Sequence, residues 1–319
     1  MTQIVKTSFR VVIAMTLVVF IGGMWLARRE AEELVTSSFD NRRPILEKPS
    51  DVGMDYRDVE VTTEDGLHLA GWWISSQNGA ALIVQHGYKM NRSAQLLGIA
   101  TLLAKRGYGV LLSSVRAHDV NGGEVISFGL EEMKDLTAWI EFVQQVDGVD
   151  PERIGIFGNS MGGSLAIQAA AQSTALKAVV AHSAVASIRS TVETSVRHFT
   201  GLPPFPFAPM IMFWVERDWN INPNVLDFTQ WIDDLSPRPI MLMQGGADVV
   251  IEPSSGQLLY DAAREPKEIW FEPALDHVAF YDERPEEFER RVVGFFDRYL
   301  LNPSAEPAVP NGSAEPLIH

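Results

Sequence analysis

Along the chain, apolar positions first form one uncharged run over residues 11–27, and only from Tyr56 onward settle into short β-branched segments alternating with helical ones. As a helix rising about 1.5 Å per residue, the 17 positions of the run reach roughly 25 Å, enough to cross the apolar layer of a bilayer. Lys6 and Arg10 precede it, and Arg28 and Arg29 follow it. Basic residues on both flanks leave the orientation open. A cleaved leader is the competing reading, but bulky Trp25 stands two places before the end of the run, where a cut requires a small residue. Residues 1–29 are therefore expected to be a single-pass N-terminal membrane anchor, and the acidic, polar stretch 30–55 a spacer with no core of its own.

From Tyr56 the alternation predicts an α/β fold with a mostly parallel sheet covered by helices on both faces. Strands are expected over 57–62 and 67–74 around the Glu64-Asp65-Gly66 turn, then over 80–84, 108–112, 153–157, 176–181, 239–243 and 268–271. Helices are expected over 93–105, with Asn91 as N-cap, and over 130–146, 160–172, 254–264 and 285–301. Between about 184 and 235 the alternation breaks into a Pro-rich apolar stretch containing Phe199, Leu202, Phe205, Phe207, Ile211, Phe213 and Trp214, which reads as a helical lid. The domain is placed at 56–301. Residues 302–319, rich in Pro, Ala, Glu and Ser, are expected to be disordered.

Charge and composition narrow the chemistry. With 41 acidic against 26 basic residues and a formal charge of -15, the chain repels phosphate backbones, so nucleic acid is not an expected partner. The absence of cysteine excludes disulfides, thiolate nucleophiles and sulfur-ligated metals, and leaves the compartment open. His68, His86, His118 and His182 stand singly, without the paired spacing of a zinc-binding helix. Neither metal nor cofactor is expected.

One motif carries chemistry: Gly158-Asn159-Ser160-Met161-Gly162, set between the strand 153–157 and the helix that follows. A serine hydroxyl becomes a useful nucleophile when it is held exposed at a sharp strand-to-helix turn, and flanking glycines allow the close backbone approach of such an elbow. The motif is short, and its context decides in its favour over a helix N-cap. A nucleophilic serine needs a base downstream, after an acid. His277 follows a strand and precedes the last helix, where a loop delivers it over the serine; His198 lies in the lid and His319 in the tail. Asp248, in the loop after strand 239–243, fits the acid that holds the imidazole tautomer. Glu252 is the runner-up, and Asp276, beside the histidine in sequence, is expected to point away from it. The amides of Met161 and Tyr88 are the expected donors to a tetrahedral oxyanion, the second from the sharp His86-Gly87-Tyr88 turn. His86 itself reads as structural.

The elements His86-Gly87, Gly158-Asn159-Ser160-Met161-Gly162, Gly246-x-Asp248 and Asp276-His277 resemble the α/β-hydrolase superfamily over residues 56–301, within it the serine aminopeptidase-like and acylglycerol lipase-like branch. The resemblance implies a central eight-stranded sheet and hydrolysis through an acyl-enzyme. One departure concerns the loop beside the site: where that branch often has Asp-x-Arg-Gly-x-Gly, this chain reads Ser114-Val115-Arg116-Ala117-His118-Asp119. The arginine persists, but the aspartate and the glycines are missing.

These residues lead to the expectation of a carboxylic ester hydrolase acting on a small-molecule or lipid-like acyl substrate, with the apolar lid either lining an acyl pocket or serving as lid core. A peptidase or amidase uses the same three side chains. Dehalogenase-like and epoxide-opening enzymes use an aspartate at the elbow, against which Ser160 argues. A binding module on a degenerate hydrolase fold is the fourth alternative.

Overall fold

The computed structural model describes residues 2–302. Among them, eight strands form one sheet: β1 (Arg57–Thr62), β2 (His68–Ile74), β3 (Ala81–Gln85), β4 (Gly109–Ser113), β5 (Ile154–Asn159), β6 (Leu176–His182), β7 (Ile240–Gly245) and β8 (Lys267–Glu272), in the spatial order β1-β2-β4-β3-β5-β6-β7-β8. β2 runs antiparallel to β1 and β4, and the remaining pairs are parallel. The central strands read as unbroken apolar runs because both faces are covered. In β3, Ala81 and Ile83 enter one core while Leu82 and Val84 enter the other, the two-residue period of a strand.

The first core is closed by α3 (Glu132–Gln144), α4 (Met161–Gln172), α7 (Thr229–Ile232) and α8 (Ser254–Ala262). The second is closed by α2 (Leu97–Lys105), by a helical turn at Phe280–Glu283 and by the closing helix expected over 285–301, which is continuous and alternates α and π hydrogen bonding. α2 begins four residues later than expected. Asn91 does not cap it; its side-chain oxygen accepts from the Ser93 and Ala94 amides at 3.0 and 2.8 Å, an Asx turn ahead of the helix. The lid between β6 and β7 consists of α5 (Ile188–Thr200), α6 (Pro204–Trp219) and α7. The tail expected to be disordered lies outside the described residues apart from Asn302.

The N-terminal helix α1 spans Thr2–Val35 without a break, and by length and composition it is able to cross a membrane. The expected boundary at residue 29 is not a structural one. Glu30, Ala31, Glu32, Glu33 and Leu34 include good helix formers, and Ala27, Ala31 and Val35, one turn apart, are completely buried against the domain. α1 packs along α6, where Arg28 pairs with Asp218 at 2.7 Å. The rest of the expected spacer is tied down as well. Ile126 donates to the carbonyl of Val35, Arg42 donates to the carbonyls of Asn121 and Gly123, and Ser93 donates to that of Glu47. The stretch 36–55 is a strap over the domain, held by bonds in both directions: Arg42 donates to domain carbonyls, and the Glu47 carbonyl accepts from Ser93.

Candidate active site

β5 ends in the elbow. Ser160 adopts φ +56° and ψ -124°, and α4 starts at the next residue. A left-handed φ at a residue with a Cβ costs on the order of 1–3 kcal/mol, and the surroundings hold it: the Ser160 amide donates to His182 at 2.7 Å, and its carbonyl accepts from Gly163 at 2.8 Å. Gly162 is required here, since a Cβ on it would sit 2.5 Å from the carbonyl oxygens of Gln85 and His86 at the end of β3. The glycines of the motif thus let the elbow close against the His86-Gly87-Tyr88 turn.

Asp248 lies in the loop after β7, its side chain fully buried. Oδ1 accepts from the amides of Val250 and Ile251 at 2.9 and 2.8 Å, and Oδ2 lies 2.7 Å from Nδ1 of His277. Burial alone would raise this carboxyl. The His277 hydrogen bond and charge, with the two amides, outweigh burial and hold it below the usual carboxylate range. The acid loop and the histidine loop touch backbone to backbone: a Cβ on Gly245 would stand 2.3 Å from the carbonyl of Leu275.

Nε2 of His277 lies 3.0 Å from Oγ of Ser160. An ionised Asp248 only accepts, so the proton of the neutral ring sits on Nδ1 and Nε2 accepts from the serine hydroxyl. Asp276 turns away as expected, accepting from the His277 amide at 2.7 Å. Glu252 is engaged by the lid, bonded to Ser190 and, at 2.8 Å, to Thr194 of α5. The structure therefore brings Ser160, His277 and Asp248 together and sets Glu252 apart.

Gly87, Tyr88 and Met161 line the same cavity as Ser160 and His277. Its volume is about 220 Å³, and its further walls are mostly apolar side chains of the lid and its surroundings, among them Val192, Val196, Phe199, Ile211 and Phe228. The turn carrying Tyr88 is firmly fixed. His86, buried and pushed down to about 4 by that burial, bonds the carbonyl of Gly87 and the Ser114 hydroxyl. His118 accepts from the Lys89 amide at 3.0 Å, while its Nδ1–H donates to the carbonyl of Arg116 at 2.8 Å. The departure in the loop after β4 is thereby filled: Ala117 and Asp119 take left-handed φ of +59° and +55°, Arg116 pairs with Asp135, and Asp119 pairs with Arg92.

A model of the prolyl oligopeptidase family, a family of peptidases by name, matches residues 97–303, about two thirds of the chain. The chain belongs to the prolyl oligopeptidase family. It is an α/β hydrolase, as its sheet order and solved neighbours agree. An esterase of Pyrococcus furiosus, Pf2001, superposes with a TM-score of 0.70 at 28% identity, covering 81% of this chain and 97% of that one. The uncharacterized protein YfhR of Escherichia coli O157:H7 is 28% identical over 77% of this chain and 81% of its own length. The polyketide transferase ATR5 of Stachybotrys chlorohalonatus is 25% identical over 77% of this chain and 98% of its own.

Three residues at the site were missed from the sequence, two on α1 and one in the loop after β4. Glu30 and Leu34 of α1 line the cavity, and His118 braces the turn that carries Tyr88. The family's motifs point to none of them. For Leu34, the available signal was the spacing of Ala27, Ala31 and Val35, which continues a helical face past the arginines.

Proposed function

We propose that the protein hydrolyses carboxylic esters through a Ser160–His277–Asp248 triad. The observation that carries this reading is the unbroken relay from Ser160 Oγ through both ring nitrogens of His277 to Asp248, at 3.0 and 2.7 Å, opening on an apolar cavity. As Ser160 Oγ bonds to the carbonyl carbon, its proton passes to Nε2 of His277, and Asp248 stabilises the resulting imidazolium. The oxyanion takes hydrogen bonds from the amides of Tyr88 and Met161. The bond to the alcohol oxygen breaks and His277 protonates that oxygen. Water then gives a proton to His277 as it attacks the acyl-enzyme; the acid departs, and Ser160 recovers its proton.

The likeness to the Pf2001 esterase supports the ester reading, and the family's peptidase name supports amide cleavage by the same groups as the second reading. Matched ester and anilide substrates of one acyl group separate them, with kcat/KM expected to favour the ester. A fluorophosphonate probe is expected to label the wild type and not Ser160→Ala. Folded wild-type protein that neither labels nor turns over either substrate would overturn the hydrolase reading in favour of a binding module.

A further inference from the structure

The cavity wall contributed by α1 reaches beyond catalysis to the source of the substrate. Glu30 and Leu34 lie one turn apart and line the cavity that holds Ser160 and His277. The last turn of α1 also grips the turn carrying Tyr88: the Tyr88 hydroxyl donates to the carbonyl of Leu34 at 2.6 Å, and Lys89 Nζ donates to the carbonyl of Glu33 at 2.6 Å. These carbonyls belong to a helix end, where intrahelical partners run out. The same helix carries the uncharged run ending at Ala27. At a rise of about 1.5 Å per residue, Glu30 and Leu34 stand roughly 5 and 10 Å past that end. The headgroup layer on each side of a bilayer is about 5–7 Å deep. Trp25, 65% exposed on α1, sits at the level where tryptophan favours the membrane interface.

Resting on the hydrolase reading above, we propose that α1 is a retained, working part of the active site and that the substrate is an acyl ester resident in the bilayer. Its acyl chain leaves the lipid alongside α1 and enters the cavity between Leu34 and the lid, placing the ester carbonyl at Ser160. Removal of α1 as a leader would strip the buried Ala27, Ala31 and Val35 from the core and leave the cavity without this wall.

The test uses the full chain reconstituted in phosphatidylcholine vesicles, with 4-nitrophenyl acetate as a soluble ester and 4-nitrophenyl decanoate as a bilayer-resident one. Decanoate in the same vesicles as the enzyme is expected to be cleaved faster than decanoate in separate vesicles; equal rates overturn delivery from the bilayer. Leu34→Trp fills the cavity from the α1 side and is expected to lower the decanoate-to-acetate ratio of kcat/KM by about tenfold or more, the scale set by a blocked methylene site. Leu34→Ala, which adds space instead of bulk, is expected to move the ratio toward longer chains. Ratios unchanged in both variants overturn the wall. Wild-type protein inert toward both esters and unlabelled by fluorophosphonate would instead overturn the underlying hydrolase reading.

Discussion

Oδ2 of Asp248 lies 2.7 Å from Nδ1 of His277, 29 positions away in the chain, while Glu252, four residues beyond that aspartate, is bonded to the lid through Ser190 and Thr194. The two carboxylates therefore have different consequences when neutralised. Asp248→Asn is expected to lower kcat on a short aryl ester by roughly 10³–10⁴-fold, because an amide facing Nδ1 favours the wrong tautomer. Glu252→Gln is expected to stay within about threefold, since it touches the lid and not the ring. Steady-state kinetics on both variants checks this, and the opposite ranking would move the acid to Glu252.

His118 reaches no substrate-facing atom, yet its Nε2 is the acceptor for the Lys89 amide next to Tyr88. His118→Ala leaves that donor without its partner, a loss of about 1–3 kcal/mol for a buried group, and loosens the turn whose Tyr88 amide is the proposed oxyanion donor. The expected result is a fall in kcat of roughly tenfold or more with KM nearly unchanged, because the interaction matters most in the transition state. A fall in stability with no change in kcat would reduce His118 to a packing role.

The elbow has no room at Gly162. A methyl group there meets two carbonyl oxygens of β3 and the following turn at 2.5 Å, and neither is a flexible side-chain end. Gly162→Ala is expected to destabilise the fold by more than about 2 kcal/mol and to abolish probe labelling of Ser160. Urea unfolding beside the wild type measures the first effect. A variant of normal stability and labelling would mean that the strand and elbow can separate.

Much of this was legible from residue pattern alone, for physical reasons. β3, β5, β6 and β7 are covered on both faces and so appear as apolar runs, and the elbow and the acid loop carry glycines because backbones meet there. The docking of α1 on the domain was harder to read. Its buried face past Ala27 is made of Ala31 and Val35, small residues set among Glu30, Glu32 and Glu33, so the stretch reads as polar although one stripe of it is core. The His118 brace was hidden for a different reason. It depends on left-handed backbone at Ala117 and Asp119; aspartate tolerates that conformation better than most residues, but alanine gives no sign of it.

Three buried histidines are expected to lower stability as the pH falls. Burial pushes His86 down to about 4 and His182 to about 3, and holds His118 well below its ordinary value. The titratable groups around them are Arg92 near His86; His86, Arg42 and Lys89 near His118; and His277 and Asp248 near His182. Above the unfolded value of about 6.5, folded and unfolded chains both carry these rings neutral, so they add no pH dependence. Below it the unfolded chain takes up protons that the folded chain refuses, and stability falls as pH drops until the folded values are reached. At pH 5.5 the loss is on the order of 1 kcal/mol per histidine. Asp248, held low in the fold, stabilises above the unfolded carboxylate value and loses that contribution only as pH falls further, through its own lowered value. Urea unfolding of the full chain in detergent from pH 8 to 4.5 is therefore expected to show a plateau, then a decline beginning near 6.5. His182→Gln removes one refused proton, and below about pH 5.5 its slope should be shallower by roughly 1.4 kcal/mol per pH unit. A wild-type curve flat to pH 5, or a slope unchanged in His182→Gln, would show that these rings take up protons without opposing the fold.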